Sequence, residues 1–234
     1  MLKTPEPVRR WTWPHYYIGA WAARTICRVM GGYSVHGREN IPRTGGAVLC
    51  ANHISYFDPP VLGSGLPRRT YFMAKKELFA PAVVGRILRA CYAFPVDREG
   101  TDREAIRHAI ELLRQGELLV VFPEGGRSPD GSIQLGNVGP ALMASRAGVP
   151  IIPAALKETD RIMPRGAKGL HRGRVQIDYG APIHPEQFGE GRLEKTQLQA
   201  FTEAVMEAIE GLQKKQYERV GEVAPPRVKA HPTE

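Results

Sequence analysis

The chain contains little cysteine, and its cysteines are scattered. Cys27, Cys50 and Cys91 are the three among 234 residues, and no two stand at Cys-x-x-Cys spacing. An odd, dispersed set argues against a disulfide framework and predicts reduced, mostly buried thiols in a cytosolic setting. The seven histidines are equally dispersed, without a His-Glu-x-x-His pattern. We therefore expect neither a metal centre nor a bound cofactor.

Long apolar runs are also missing. No run reaches the ~18 residues that a membrane-spanning helix needs. The N-terminus lacks the apolar h-region and the small-residue cleavage site of a secretory signal peptide. The sequence therefore predicts no membrane-spanning helix, which still allows attachment to a membrane surface.

The chain does have enough length for one domain with an appendage, and an excess of positive charge. The net charge of +8 and the isoelectric point near 9.6 indicate an anionic partner, which could be nucleic acid, a membrane surface or a phosphorylated substrate. Two observations argue against nucleic acid. The sequence carries no recognised nucleic-acid-binding motif, and its Lys and Arg residues are distributed instead of forming one stripe.

The first 32 residues differ in composition from the rest. They hold all three tryptophans, with five cationic side chains close by, and Pro14 opens a predicted helix that runs to Met30. One set of residues recurs on it at helical spacing: Ile18, Trp21, Ala22, Thr25 and Val29. Aromatic and cationic residues on an amphipathic helix are typical of an interfacial anchor, although a helix packing its apolar stripe on the main domain would show the same periodicity. We predict that residues 1–32 lie on an anionic membrane surface, peripheral or monotopic, at the cytoplasmic side of the cell membrane.

Downstream of this segment, buried strands alternate with helices. Apolar runs predict the strands Ala47–Cys50 and Leu118–Phe122, and further strands are predicted over Val149–Ala155 and Val175–Tyr179. The alternation indicates an α/β domain over residues 33–220, with a mostly parallel or mixed central sheet and helices on both faces. Residues 221–234 form a proline-rich, charged tail that we predict to be disordered.

A polar turn follows the first of these strands. Asn52 and His53 come directly after it, and Asp58, followed by two prolines, is placed to cap the next helix. Taken alone, the pair is explained better by a structural histidine and a capping aspartate. Further polar turns stand at Arg98 and at residues 124–127, and the ends of parallel strands can converge on one edge of a sheet.

Four segments carry a resemblance to a known family. They are Asn52-His53-x-x-x-x-Asp58-Pro59, then Arg98, then Phe122-Pro123-Glu124-Gly125-x-Arg127-Ser128, then Val149-Pro150-Ile151-Ile152-Pro153. In order and spacing they resemble the four motifs of the glycerolipid acyltransferase family, especially its PlsC-like lysophosphatidic acid acyltransferases. The resemblance covers residues 33–185. Two positions depart from it: Gly126 stands where the family usually has Thr, and Leu135–Val138 lacks the basic residues that relatives often have.

The resemblance implies an enzyme that moves a fatty acyl group from acyl-CoA or acyl carrier protein to the free hydroxyl of a lysophospholipid. The implied acceptor is 1-acyl-sn-glycerol-3-phosphate, which would give phosphatidic acid, and the two departures leave another lysolipid or hydroxylated lipid open. His53 would be the general base, and Asp58 would orient its imidazole. The residues implied to bind the glycerol phosphate are Arg98, Glu124, Gly125, Gly126 and Arg127.

Two other functions stay as alternatives. One is a basic nucleic-acid-binding protein, suggested by the charge alone. The other is an acyltransferase-like protein that binds lipids without turning them over. The complete set of His53, Asp58, Glu124 and Arg127 argues against the second alternative.

Overall fold

A computed structural model of the protein describes residues 13–97, 102–166 and 169–228. Its central sheet has seven strands in the order β1-β7-β6-β2-β5-β3-β4. The strands are β1 Tyr33–His36, β2 Ala47–Ala51, β3 Tyr71–Lys75, β4 Ala93–Val96, β5 Leu118–Val121, β6 Ile151–Lys157 and β7 Val175–Tyr179.

The sheet is mixed. Five neighbouring strands, from β6 to β4 in the sheet order, run parallel to one another. Strand β7 is antiparallel to β6 and parallel to β1. The carboxyl ends of the five parallel strands therefore meet at one edge, which is where α/β sheets place their ligands.

Helices cover both faces of this sheet. They are α1 Trp13–Met30, α2 Asp58–Gly65, α3 Ala82–Ala90, α4 Arg103–Arg114, α5 Gly139–Ala147, α6 Thr159–Ile162 and α7 Lys195–Glu218. The connection β2-α2-β3 crosses the sheet in the opposite direction to β4-α4-β5 and β5-α5-β6. Right-handed connections then place α2 on one face and α4 and α5 on the other. The predicted α/β fold is confirmed.

The predicted strands form the core. Every residue of β2, β6 and β7 is buried, and Leu49, Leu119 and Ile152 on three neighbouring strands have no exposed surface. A parallel sheet covered on both faces needs apolar side chains on both faces, and each such side chain contributes about 1.5–3 kcal/mol of burial free energy. The sheet is therefore a rigid base for the loops at its carboxyl edge.

Helix α1 has one packed face and one open face. Tyr16, Ala23 and Cys27 are buried against the domain, and the Tyr16 hydroxyl donates to the Gly63 carbonyl in α2 at 3.4 Å. Three large side chains of the predicted apolar set are exposed instead: Ile18 (60%), Trp21 (66%) and Val29 (71%). The stripe that packs is thus not the one that the sequence pattern singled out. Within the described ranges, no helix has both the length and the apolar character needed to cross a membrane.

Parts of the two terminal segments lie outside the described residues, namely 1–12 and 229–234. After α7 the chain continues through residues 221–228 without helix or strand. Arg227 is buried there and bonds the Glu203 carboxylate of α7 at 2.7 Å, and the Val228 N–H donates to the Ile133 carbonyl at 2.9 Å. The disorder of the whole tail stays a prediction.

Candidate active site

His53 lies just beyond the carboxyl end of β2, and its imidazole contacts Asp58 across a bent loop. The distance from His53 Nδ1 to Asp58 Oδ2 is 2.7 Å. The Asp58 side chain is fully buried, whereas 11% of the His53 side chain is exposed. A carboxylate only accepts hydrogen bonds, so Nδ1 carries the proton and Nε2 holds the free lone pair.

Asp58 is held by three donors besides the imidazole. Its Oδ2 accepts the N–H groups of Ile54 at 2.7 Å and Ser55 at 2.8 Å, and its Oδ1 accepts the hydroxyl of buried Thr159. The prediction that Asp58 caps α2 is wrong: Phe57 is the N-cap residue, Asp58 is the first residue of the helix, and no side chain caps it. The carboxylate is drawn back onto the preceding loop, because that loop presents two backbone N–H groups to it.

Two further contacts tie this loop to β6 and to the chain just after β5, the two strands that flank β2. The Asn52 side chain bonds both backbone groups of Leu156 on β6, donating at 3.0 Å and accepting at 2.7 Å. The His53 ring stacks on Phe122 with ring centroids 4.1 Å apart and planes 17° apart. The imidazole therefore has a fixed plane as well as a fixed hydrogen-bond partner.

Glu124 contacts the backbone of the same loop. Its Oε1 accepts the His53 N–H at 2.9 Å, and its Oε2 accepts the Gln134 N–H at 3.2 Å. Burial outweighs these two hydrogen bonds and raises the pKa of Glu124 to about 7. The Ser128 N–H in turn donates to the His53 carbonyl at 2.7 Å. The turn after β5 thus clamps both backbone groups of His53, and a role of Glu124 in binding substrate stays a prediction.

The other predicted binding residues surround this turn. Arg127 lies over the ring of exposed Tyr56, with its guanidinium carbon 3.5 Å from the ring centroid. Gly125 has φ +70, a left-handed conformation suited to glycine. A Cβ at Gly126 would meet no atom within 4 Å, so the Thr common in the family would fit there. Arg98 lies outside the described residues, and its role stays a prediction.

Thr159 was not among the predicted site residues, although its hydroxyl bonds Asp58 from 101 residues away. Its position offered one signal, since it follows β6 at the sheet edge where His53 follows β2. Asn52 belongs to the quoted motif, yet its bonds to Leu156 were not foreseen. In the part of the chain that the structure describes, no group of three His, Cys, Asp or Glu could hold a metal ion.

This arrangement can supply a general base to an external hydroxyl. Two nearby protein hydroxyls are engaged elsewhere, because Ser55 Oγ donates to the Met163 carbonyl at 3.2 Å and Ser128 Oγ to the Asp130 carboxylate at 3.2 Å. The Nε2 atom of His53 has no hydrogen-bond partner among the described residues. A proton accepted there would come from a bound molecule.

Comparison with known proteins identifies one family. The acyltransferase family model matches residues 32–157. The chain is 36% identical over 203 residues to a 1-acyl-sn-glycerol-3-phosphate acyltransferase of Bacillus subtilis, covering 86% of the chain and 98% of that relative. It is 32% identical over 171 residues to the enzyme of the same name from Streptococcus pneumoniae, covering 71% of the chain and 61% of the relative.

A plant relative and a solved structure belong to acyltransferases of the same kind. The chain is 31% identical over 183 residues to the chloroplastic enzyme LPAT1 of Arabidopsis thaliana, covering 76% of the chain and about half (51%) of that relative. The crystal structure of PlsC, the 1-acyl-sn-glycerophosphate acyltransferase from Thermotoga maritima, superposes with a TM-score of 0.69 at 26% identity, covering 89% of the chain and 83% of PlsC. With a family model spanning more than half its length and relatives alike over most of it, the chain belongs to the acyltransferase family.

Proposed function

We propose that the protein transfers a fatty acyl group from a thioester donor, acyl-CoA or acyl carrier protein, to the free hydroxyl of 1-acyl-sn-glycerol-3-phosphate, which gives phosphatidic acid. The observation that carries the proposal is the 2.7 Å contact between His53 Nδ1 and the buried Asp58 carboxylate, with Nε2 left open. The names of the relatives in Bacillus, Streptococcus and Arabidopsis support the choice of acceptor.

The reaction then needs no covalent acyl-enzyme. His53 Nε2 takes the proton of the acceptor hydroxyl while the hydroxyl oxygen attacks the thioester carbonyl carbon. The tetrahedral intermediate collapses by breaking the C–S bond, and the departing sulfur takes the proton from the imidazolium, which leaves an ester and a thiol. Asp58 stabilises the imidazolium between these steps, because its Oδ2 already accepts the Nδ1 proton.

The acceptor phosphate would lie near the turn after β5. Arg127 is the described cation of this turn, and its planar guanidinium suits a phosphate group. Stacking on Tyr56 holds that guanidinium at the surface beside the His53 loop. Arg98 would add a second cation, and the N–H groups of Gly125 and Gly126 could approach an anion closely.

The lipid acceptor places the enzyme at a membrane surface, and we infer that it binds the cytoplasmic side peripherally. The open face of α1 carries Ile18 and Trp21 beside Arg28, all exposed. Helix α3 exposes a second apolar row: Val83, Val84 and Ile87. Tyr16 of α1 contacts Tyr92, two residues beyond α3, with ring centroids 5.9 Å apart. Apolar side chains next to cations on neighbouring helices are suited to an anionic interface.

Replacing Ile18 and Trp21 by serine should weaken binding to phosphatidylglycerol vesicles by about 10²-fold, because each large apolar side chain that enters the interface contributes about 1.5–3 kcal/mol. Cosedimentation with vesicles measures the loss. The matched control replaces Val220 and Val223, which are exposed elsewhere on the surface, and should bind as the wild type does. A full-length wild-type chain that stays unbound would remove the interfacial proposal.

Replacing Thr159 by valine should lower kcat about tenfold, whereas Thr159→Ser should keep most of it. Valine leaves the buried Oδ1 of Asp58 without its hydroxyl donor, a loss of about 1–3 kcal/mol. Steady-state assays and thermal unfolding measure the two effects separately. An equal loss of activity in both variants would point to packing at this position and argue against a role for the hydroxyl.

The proposed function is tested by offering labelled palmitoyl-CoA, and separately palmitoyl-acyl carrier protein, with a panel of lysolipids. We expect transfer to 1-acyl-sn-glycerol-3-phosphate at a higher kcat/KM than to any other acceptor. Preferred transfer to a different lysolipid would reassign the acceptor, consistent with Gly126 and the uncharged Leu135–Val138 segment. Absence of transfer to every lysolipid from both donors would overturn the proposal.

A further inference from the structure

A groove of about 790 Å³ lies between α4 and α5. We call it the arginine groove, because five arginines line it: Arg103, Arg107, Arg114, Arg146 and Arg192. It shares Leu142, Arg146 and Arg192 with an adjoining hollow of about 720 Å³, whose wall includes Lys195.

Ion pairs between described residues leave the positive charge of the groove in place. Among the described residues, none of the five arginines forms an ion pair with a carboxylate, and Arg114 donates to the Arg146 carbonyl at 2.7 Å. Glu111 is the carboxylate in the lining of the groove itself, and Glu194 in the adjoining hollow is occupied in the capping box of α7. Unpaired cations crowded on two helices repel one another and attract an acidic partner.

The groove begins at the edge of the sheet that carries the candidate active site. Helix α4 starts at Arg103, a few residues after the carboxyl end of β4. Helix α5 starts at Gly139, directly after Asn137 and Val138, and the Asn137 side chain donates to the Pro123 carbonyl next to Glu124 at 2.9 Å. The end of the groove at Arg103 therefore lies toward the edge of the sheet that carries His53.

The length and floor of the groove decide which acidic partner fits. Arg103 and Arg114 are eleven positions apart on α4, which corresponds to ~16 Å along the helix axis. That spacing is wide for the phosphates of one nucleotide, and suits a row of carboxylates on a helix. Between the arginines the floor is apolar, formed by Ile106, Ile110 and Leu142, as in the centre of a protein interface.

We propose that the arginine groove docks acyl carrier protein, a small acidic protein that holds the acyl group as a thioester on a flexible arm. This inference rests on the proposed acyl transfer. Of its two possible donors, it assigns acyl carrier protein to the arginine groove. The docked carrier protein would hold its arm at the sheet edge, so that the thioester reaches His53. Charges at an interface of this kind mainly set the rate of association and its dependence on salt.

The test compares the two donors in the full-length protein. The double variant Arg107→Glu, Arg146→Glu reverses two exposed charges of the groove, and Arg43→Glu, Arg172→Glu makes the same charge change at exposed positions elsewhere. We expect the groove variant to raise the KM for palmitoyl-acyl carrier protein at least about tenfold and to flatten its salt dependence. Its kcat/KM for palmitoyl-CoA should stay within about twofold of the wild-type value. The control variant should keep kcat/KM within the same range for both donors.

Several results would overturn the docking proposal. An equal rise in KM for both donors would assign the groove to the nucleotide phosphates of CoA, and unchanged kinetics would mean that it binds neither donor. Loss of binding to phosphatidylglycerol vesicles with an unchanged KM for the carrier protein would assign it to lipid. A wild type that uses palmitoyl-CoA alone would end the docking proposal and leave the proposed function standing.

A milder variant guards against misfolding. Arg107→Gln, Arg146→Gln removes the charges without reversing them, and should raise the KM for the carrier protein by a smaller factor in the same direction. Thermal unfolding of both groove variants should match the control variant. If the kinetic change occurred only in a variant that unfolds early, the docking proposal would be rejected.

Discussion

Replacing His53 by alanine is expected to lower kcat by about 10²–10⁴-fold, the usual contribution of a positioned general base. Alanine removes the Nε2 lone pair that would take the acceptor proton. Its effect on the fold should be small, because the loop keeps its bonds through Asp58 and Asn52. The measurement is acyl transfer from palmitoyl-CoA to 1-acyl-sn-glycerol-3-phosphate at saturating concentrations of both.

The matched control is His36→Ala, because His36 is exposed on the edge strand β1. It should leave kcat unchanged. Near-normal turnover by the His53 variant would show that another group accepts the proton. A rise in KM with an unchanged kcat would also contradict a role as base. It would mean that the imidazole only helps to bind the acceptor.

Replacing Asp58 by asparagine should lower kcat by a similar factor, about 10²–10⁴-fold. The carboxamide has almost the same shape, but it carries no charge to stabilise the imidazolium. It also brings an N–H₂ group into a pocket where every described partner is a donor: the imidazole, two backbone N–H groups and the Thr159 hydroxyl. A donor facing donors would turn the ring or the amide away.

Asp160→Asn makes the same chemical change at an exposed position of α6, three residues beyond Lys157, and serves as the control. Its kcat should equal that of the wild type. Thermal unfolding must accompany the kinetics, because Asp58 is buried and its variant should also be less stable. If kcat fell by no larger a factor than the fraction of folded protein, Asp58 would have a structural role. The proposed catalytic role would then be withdrawn.

The parts of the molecule that depend on local pattern were predictable from the sequence. Apolar runs predicted buried strands such as β2 and β5, and four motifs in order brought together the loop of His53 and the turn of Glu124. These signals are local, either a run of apolar residues or polar residues at fixed spacing within one segment.

Features that depend on contacts between distant segments were not predictable. Thr159 reaches Asp58 across 101 positions, and the sequence cannot show which hydroxyl the fold will bring there. Asp58 was expected to cap α2, since the local pattern contains no information on the competing N–H groups of Ile54 and Ser55. The apolar stripe of α1 was visible, but the face that packs contacts α2, and the pattern within α1 does not contain that contact.

The bonds of the His53 loop to β6 and α6 also determine when the site can form. Asn52 forms hydrogen bonds with Leu156, and Asp58 accepts one from Thr159. About two thirds of the chain must therefore leave the ribosome before Asn52 and Asp58 have all their hydrogen-bond partners. Contacts of such sequence separation form late in folding, because the intervening chain must first be ordered. During synthesis the proposed catalytic pair would therefore stay incomplete until the central sheet is assembled.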